Sequence, residues 1–229
     1  MRTAALIIAS LLVPLAVPAH PAPLAERLAY AGGGSQLLTA EAPSAGATTG
    51  TLTWWDRRRG HWVAVGSAPA RFGAKGLAEG DSRVQGTDTT PTGLFPLPYA
   101  FGVAPAPHGT HYPYRRATDE SWWCQDNESR RYNRWVEGLP RDCRASESEH
   151  LTAYASQYAR ALVIGFNYGR PVRGRGAGIF LHVNGRGATA GCVSVSAEAM
   201  ERVLRWVKPL GRPHIAIGTA SGPTAITRY

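Results

Sequence analysis

The sequence predicts a single mostly-β domain carrying one well-defined helix. Three observations point to it. Short apolar runs with strand-like alternation recur along the chain, Gly-, Pro- and Thr-rich breaks separate them, and one late segment has apolar residues at helical spacing. The 229 residues suffice for one sizeable domain, and 44% hydrophobic against 18% charged residues describes a folded soluble chain rather than a disordered one.

Residues 1–19, MRTAALIIASLLVPLAVPA, combine Arg2, an apolar run from Ala4 to Val17 and a small-residue site ending at Ala19. This reads as a secretory signal peptide cleaved after Ala19, which implies a secreted, extracellular protein. The run is shorter than the about 20 residues of a membrane span, so no span is expected after cleavage. Residues 20–34 are rich in Ala, Pro and Gly and read as a linker, leaving 35–229 as the domain. Gln36 to Ala40 reads as a strand, and TLTWWDRRRGHWVAVG as two strands around an Arg-Gly turn. The stretch from Gly73 to Leu97 reads as loop ending in a short strand. Residues 105–160 are polar and aromatic, with turns and one helix expected near Leu151 to Arg160. Strand patterns return at Ala161 to Asn167, Gly178 to Val183 and His214 to Gly218. The clearest helix is Ala197 to Lys208. Ser196 is its N-cap, Glu198 lies in its first turn, Met200, Val203, Leu204 and Val207 form one stripe, and Pro209 stops it.

The formal net charge is +9, which suits an anionic surface such as a cell wall. The arginines are scattered and no basic run is interleaved with aromatics, so no nucleic-acid partner is expected. There are three cysteines. In an oxidising compartment two should pair, and Cys124 and Cys143 lie 19 residues apart in one polar segment, where a disulfide contributes about 3 kcal/mol. Cys192 is then the odd thiol.

Alternation along GIFLHV puts Phe180 and His182 on one face and Ile179, Leu181 and Val183 on the other. Ten residues after His182 stands Cys192, preceded by the small residues Ala190 and Gly191. A free thiol is only a few per cent ionised at neutral pH, and a neighbouring imidazole can take its proton and hold the anion. Backbone amides of Gly191 and Cys192 can then face an oxyanion unobstructed. The bland alternative is that Cys192 is a small buried hydrophobe. Apart from His108-Gly-Thr-His111 there is no ligand cluster with zinc spacing, so neither metal nor cofactor is expected. Cysteine follows histidine here, opposite to the usual order in papain-like peptidases.

The stretch GIFLHVNGRGATAGCVSVS, followed by an amphipathic helix and HIAIG, resembles the catalytic core of the YkuD-like L,D-transpeptidase family. Upstream, Thr90-Pro91-Thr92-Gly93-Leu94-Phe95 is similar to the family's TPxGxF segment, and SWWCQDNESRRYNRW to the WWxxD…YN segment of its secreted actinobacterial-type branch. The resemblance covers roughly Ser35 to Gly218. It implies a β-sandwich or barrel-like domain acting on peptidoglycan stem peptides. Cys192 would be the nucleophile, His182 the base, Gly191 and Cys192 the oxyanion amides, and the Val183 carbonyl the support of the imidazole. Thr189-Ala190-Gly191-Cys192 replaces the commoner Ser-His-Gly-Cys, and Ser194 stands where the family usually has Arg or Asn. Arg186, Asn167, Asn184, Thr189 and Ser194, with Tyr132 and Asn133, are the candidates for the groove, Arg186 as a carboxylate contact. The implied reaction attacks the third-residue carbonyl of a tetrapeptide stem, releases D-alanine and forms a 3–3 crosslink. The alternatives are an L,D-carboxypeptidase using water and a non-catalytic wall-binding module.

Overall fold

The computed structural model describes residues 22–229, and the signal-peptide reading lies outside the described residues. The strands are β1 (Gln36–Ala42), β2 (Thr49–Arg58), β3 (His61–Arg71), β4 (Leu77–Glu79), β5 (Thr90–Pro96), β6 (Ala100–Gly102), β7 (Tyr114–Arg116), β8 (Ser121–Cys124), β9 (Arg134–Glu137), β10 (Ser148–His150), β11 (Ala161–Val163), β12 (Phe180–Val183), β13 (Val193–Val195) and β14 (His214–Thr219). Eleven of them form one sheet in the order β4-β5-β14-β1-β2-β3-β13-β12-β11-β6-β7, and β10-β8-β9 form a second. The β2–β3 hairpin closes through Arg59 and Gly60, both at positive φ, the two-residue geometry that matches strand twist.

The helix α1 (Ala197–Trp206) begins as the sequence predicts, with the Ser196 hydroxyl accepting from the Ala199 amide at 3.1 Å. It stops before Lys208 because Val207 already has extended backbone. Met200, Val203 and Leu204 pack with Leu38, Leu52, Leu181, Val193 and Ile215 from the large sheet into the first core. Burying such side chains contributes about 1.5–3 kcal/mol each. A second core lies on the other side of β11 and β12, where Phe101, Val163 and Phe180 meet Trp123, Leu151 and Tyr158. The small sheet thus covers one face of the large one, in the sandwich manner expected of a mostly-β domain.

Two readings are corrected and a third is extended. The helix expected from Leu151 to Arg160 is two 3-10 turns, Leu151–Tyr154 and Gln157–Ala159. Tyr158 departs from helical backbone there, buried in the second core with its hydroxyl donating to Glu149 at 2.6 Å. Residues 105–160 hold the expected turns and, between them, the short strands β7 to β10. The linker segment is docked: Leu24–Glu26 form a 3-10 turn, Ala25 packs against Leu37, Trp55 and Trp62, and the Glu26 carboxylate accepts from the Trp62 amide at 3.0 Å. The Cys124–Cys143 disulfide is formed. Beside it, the Arg144 guanidinium donates twice to Asp126, at 2.7 and 2.8 Å, and holds that carboxyl well below the usual range.

Candidate active site

Strands β12 and β13 run parallel, with Leu181 beside Val193 and His182 beside Ser194. That register sets Cys192, just ahead of β13, level with Phe180. Alternation sends Leu181 and Val193 into the first core and Phe180 and Cys192 into the second. His182 shares the Phe180 face, where its ring meets Tyr158 edge-on at 5.5 Å. Thiol and imidazole are therefore diagonal neighbours, a placement of ~7–8 Å between backbones that side chains can bridge.

The loop before Cys192 is tied down by hydroxyls. Thr189 donates to the Cys192 carbonyl at 2.7 Å, and Thr90 of the TPTGLF segment donates to the same oxygen at 3.2 Å. Thr90 also accepts from the Gly73 amide, and the Thr189 backbone bonds Phe72 and Ala74. Thr189, read as a substrate contact, anchors the loop before Cys192 and also borders the cavity lined by His182. The Gly191 amide, expected to face an oxyanion, donates instead to the Thr189 hydroxyl at 3.1 Å. Gly191 is required on other grounds. Its φ is 136°, and a Cβ there would sit 2.8 Å from Arg83 Nη2 and 2.9 Å from the Thr89 carbonyl.

Most of the remaining groove candidates bond to the protein itself. Ser194 is buried and its hydroxyl donates to Asn184 Oδ1 at 2.8 Å, while Asn184 borders a separate groove with Arg71. Asn167, at positive φ, closes its own turn through Val172 and Gly176. Tyr132 bonds Gln85 and the Gly176 amide. Asn133 Oδ1 accepts from Trp123 Nε1 and from the Gly178 amide, so it positions the strand that holds the sulfur. Arg186 is exposed at the rim of the His182 cavity.

Cys192 is only 8% exposed. Its Sγ donates to the Gly178 carbonyl and accepts from the Phe180 amide, both at 3.4 Å. Burial, followed by the charge of Glu149, pushes the thiol up to about 12. His182 Nδ1 lies 2.7 Å from the Val183 carbonyl, and burial lowers the imidazole. Because a carbonyl only accepts, Nδ1 carries the proton and Nε2 is left basic. No hydrogen bond joins this ring to the sulfur. The expected thiolate–imidazolium pair at an open mouth is therefore, in the resting fold, a neutral thiol beside a neutral imidazole. The second core covers them and disfavours both charges.

This sets a pH dependence. The folded thiol titrates above its ordinary value of about 8.5, so the folded state keeps its proton where the unfolded state loses it. The resulting stability is full below pH ~8.5 and is lost as pH rises toward 12. Urea unfolding from pH 8 to 11 is expected to show a smaller alkaline loss in Cys192→Ala than in wild type. Identical slopes would contradict the assignment.

Two cavities meet at Cys192. One, about 300 Å³, is bordered by Arg83, Gln125, Glu147 and Gly178; the other, about 360 Å³, by Tyr154, Tyr158, His182 and Arg186. Glu149 borders both. Sequence reading missed Arg83, Glu149 and Tyr158, which belong to no motif and reach the site only through tertiary folding. Among the described residues, no group of three or more His, Cys, Asp or Glu side chains is arranged to hold a metal ion.

Fold and site together define a mostly-β domain that presents a cysteine–histidine pair on one sheet face, at the junction of two cavities. The L,D-transpeptidase catalytic domain family, YkuD, matches residues 47–219, and the chain belongs to that family. No curated protein matches it. Among solved structures it is similar to Bd1075 of Bdellovibrio bacteriovorus, at 18% identity and a TM-score of 0.40, over 80% of this chain and 48% of that one. The chain thus spans about half the length of that structure.

Proposed function

We propose that the protein is a cysteine acyltransferase that works outside the cell on peptidoglycan stem peptides. Cys192 attacks the third-residue carbonyl of a tetrapeptide stem, D-alanine leaves, and an amine of a neighbouring stem takes the acyl group to give a 3–3 crosslink. The observation that carries this reading is the free thiol at the meeting of two cavities, beside an imidazole whose Nε2 is unprotonated, in a chain of this family. The signal-like N-terminus and the positive charge support an extracellular, wall-associated setting.

The chemistry starts from a neutral pair. The S–H bond swings from the Gly178 carbonyl to His182 Nε2, which takes the proton as sulfur bonds to the acyl carbon. The Phe180 amide stays on the sulfur while it is anionic. The C–N bond then breaks and the imidazolium returns its proton to the departing amine. The acceptor amine repeats the sequence in reverse, losing its proton to Nε2 as the thioester opens. Holding Nδ1–H on the Val183 carbonyl keeps Nε2 as the nitrogen that takes and returns the proton throughout.

The test is D-alanine release and product analysis on tetrapeptide muropeptides, with intact-protein mass spectrometry after carbapenem exposure. Wild type is expected to release D-alanine, form cross-linked dimer and gain one adduct on Cys192, and Cys192→Ala to do none of these. Full activity in Cys192→Ala would falsify the reading. Tripeptide without dimer would make water the acceptor.

A further inference from the structure

We propose that Arg83 selects the acyl donor, by binding a carboxylate at the end of the third residue's side chain. The enzyme then prefers a third residue whose side chain ends in a free amino-acid group over one ending in a bare amine or a carboxamide. The inference rests on the acyl-transfer reading above and names the donor for that site.

Arg83 is 6% exposed. Its Nε donates to the Thr89 carbonyl at 2.7 Å and its Nη1 to the Arg175 carbonyl at 3.2 Å, and its ring neighbour is Phe166. Among the described residues it has no carboxylate partner within ion-pair distance. The acids that border its cavity stand beyond ion-pair distance, so the buried guanidinium lacks a direct carboxylate partner and is suited to one that arrives from outside. The group borders the same cavity as the Cys192 sulfur, with Nη2 against Gly191.

Which part of the donor enters there follows from proton transfer. His182 must reach the departing nitrogen, and it borders the other cavity, not this one. The leaving residue therefore occupies the His182 side and the acyl part occupies the Arg83 side. Asp88, Glu147 and Glu149 border the Arg83 cavity as well. One buried guanidinium sharing a cavity with carboxylates matches a head that carries both charges, carboxylate to Arg83 and ammonium to the acids. A lysine-type third residue supplies the ammonium alone and leaves Arg83 unpaired.

The experiment compares three synthetic tetrapeptide donors, whose third side chain ends in a free amino acid, its carboxamide, or a plain amine. Wild type is expected to favour the free acid by about 10- to 100-fold in kcat/KM, the range of a charge-assisted hydrogen bond. In Arg83→Gln that ratio should fall toward one, and in Arg83→Lys it should be partly kept, because lysine retains the charge but not the planar fork. Binding of the same peptides to Cys192→Ala, by calorimetry, should rank them in the same order without turnover. No preference in unaltered wild type overturns the proposal and needs no variant to fold. Loss by one common factor on all three donors in Arg83→Gln, with a shifted pH profile of Cys192 alkylation, overturns it in favour of a role at the sulfur. If wild type turns over none of the donors, the acyl-transfer reading fails separately. The binding series then decides Arg83, and equal or absent binding of acid and carboxamide counts against it.

Discussion

His182→Gln is expected to slow acylation of Cys192 by about 10²- to 10⁴-fold, the span a positioned general base provides. Glutamine keeps much of the volume of the buried ring and can still donate to the Val183 carbonyl, so the fold should survive while the basic Nε2 is lost. The pH profile separates this role from a structural one. Wild-type acylation should rise through the imidazole, which burial holds below its ordinary 6.5, and then level off. The variant has no base, so its rate should keep climbing with thiol ionisation toward pH 12. Carbapenem adduct formation followed by mass spectrometry reads both. A variant that reacts at the wild-type rate with the wild-type profile would remove His182 from the reaction.

Trp123→Ala is expected to destabilise the protein by about 3–5 kcal/mol, the cost of emptying a buried aromatic site. Trp123 is fully enclosed, meets Phe180 edge-on at 4.8 Å and donates to Asn133 at 2.9 Å. The same Asn133 oxygen accepts from the Gly178 amide at 3.0 Å, and the Gly178 carbonyl holds the thiol. The loss therefore reaches the sulfur as well as the core. Urea denaturation should show the drop in stability, and Cys192 should alkylate faster below the unfolding midpoint as its cover loosens. A change under 1 kcal/mol with unaltered alkylation would contradict this wiring.

The elements around the nucleophile were legible because each carries its own local signal. Phe180 and Leu181 alternate cleanly between the two cores, Ser196 caps the helix, and Gly60 supplies the positive φ at the second position of the β2–β3 turn. The pairing of Cys124 with Cys143 followed from there being three cysteines and a short separation. Strands β8, β9 and β10 were not legible, since each has three or four residues and is defined by its partners rather than by a pattern. Among the groove residues read from the resemblance, Thr189, Ser194 and Asn167 bond polar partners that no spacing announces. The protonation state of Cys192 was misread for the same reason. Glycine and alanine beside it suggested openness, whereas the cover comes from Tyr158, Trp123 and Leu151, far away in the chain.

That cover has a consequence for durability. Peroxide and disulfide-forming reagents attack sulfur as its anion and need room to reach it. A sulfhydryl kept un-ionised against the Gly178 oxygen withholds that anion, so Cys192 resists conversion to sulfenic acid and mixed disulfides until a substrate occupies the site. Protection against idle oxidation and latency toward the wrong electrophile are then the same property of one enclosed atom.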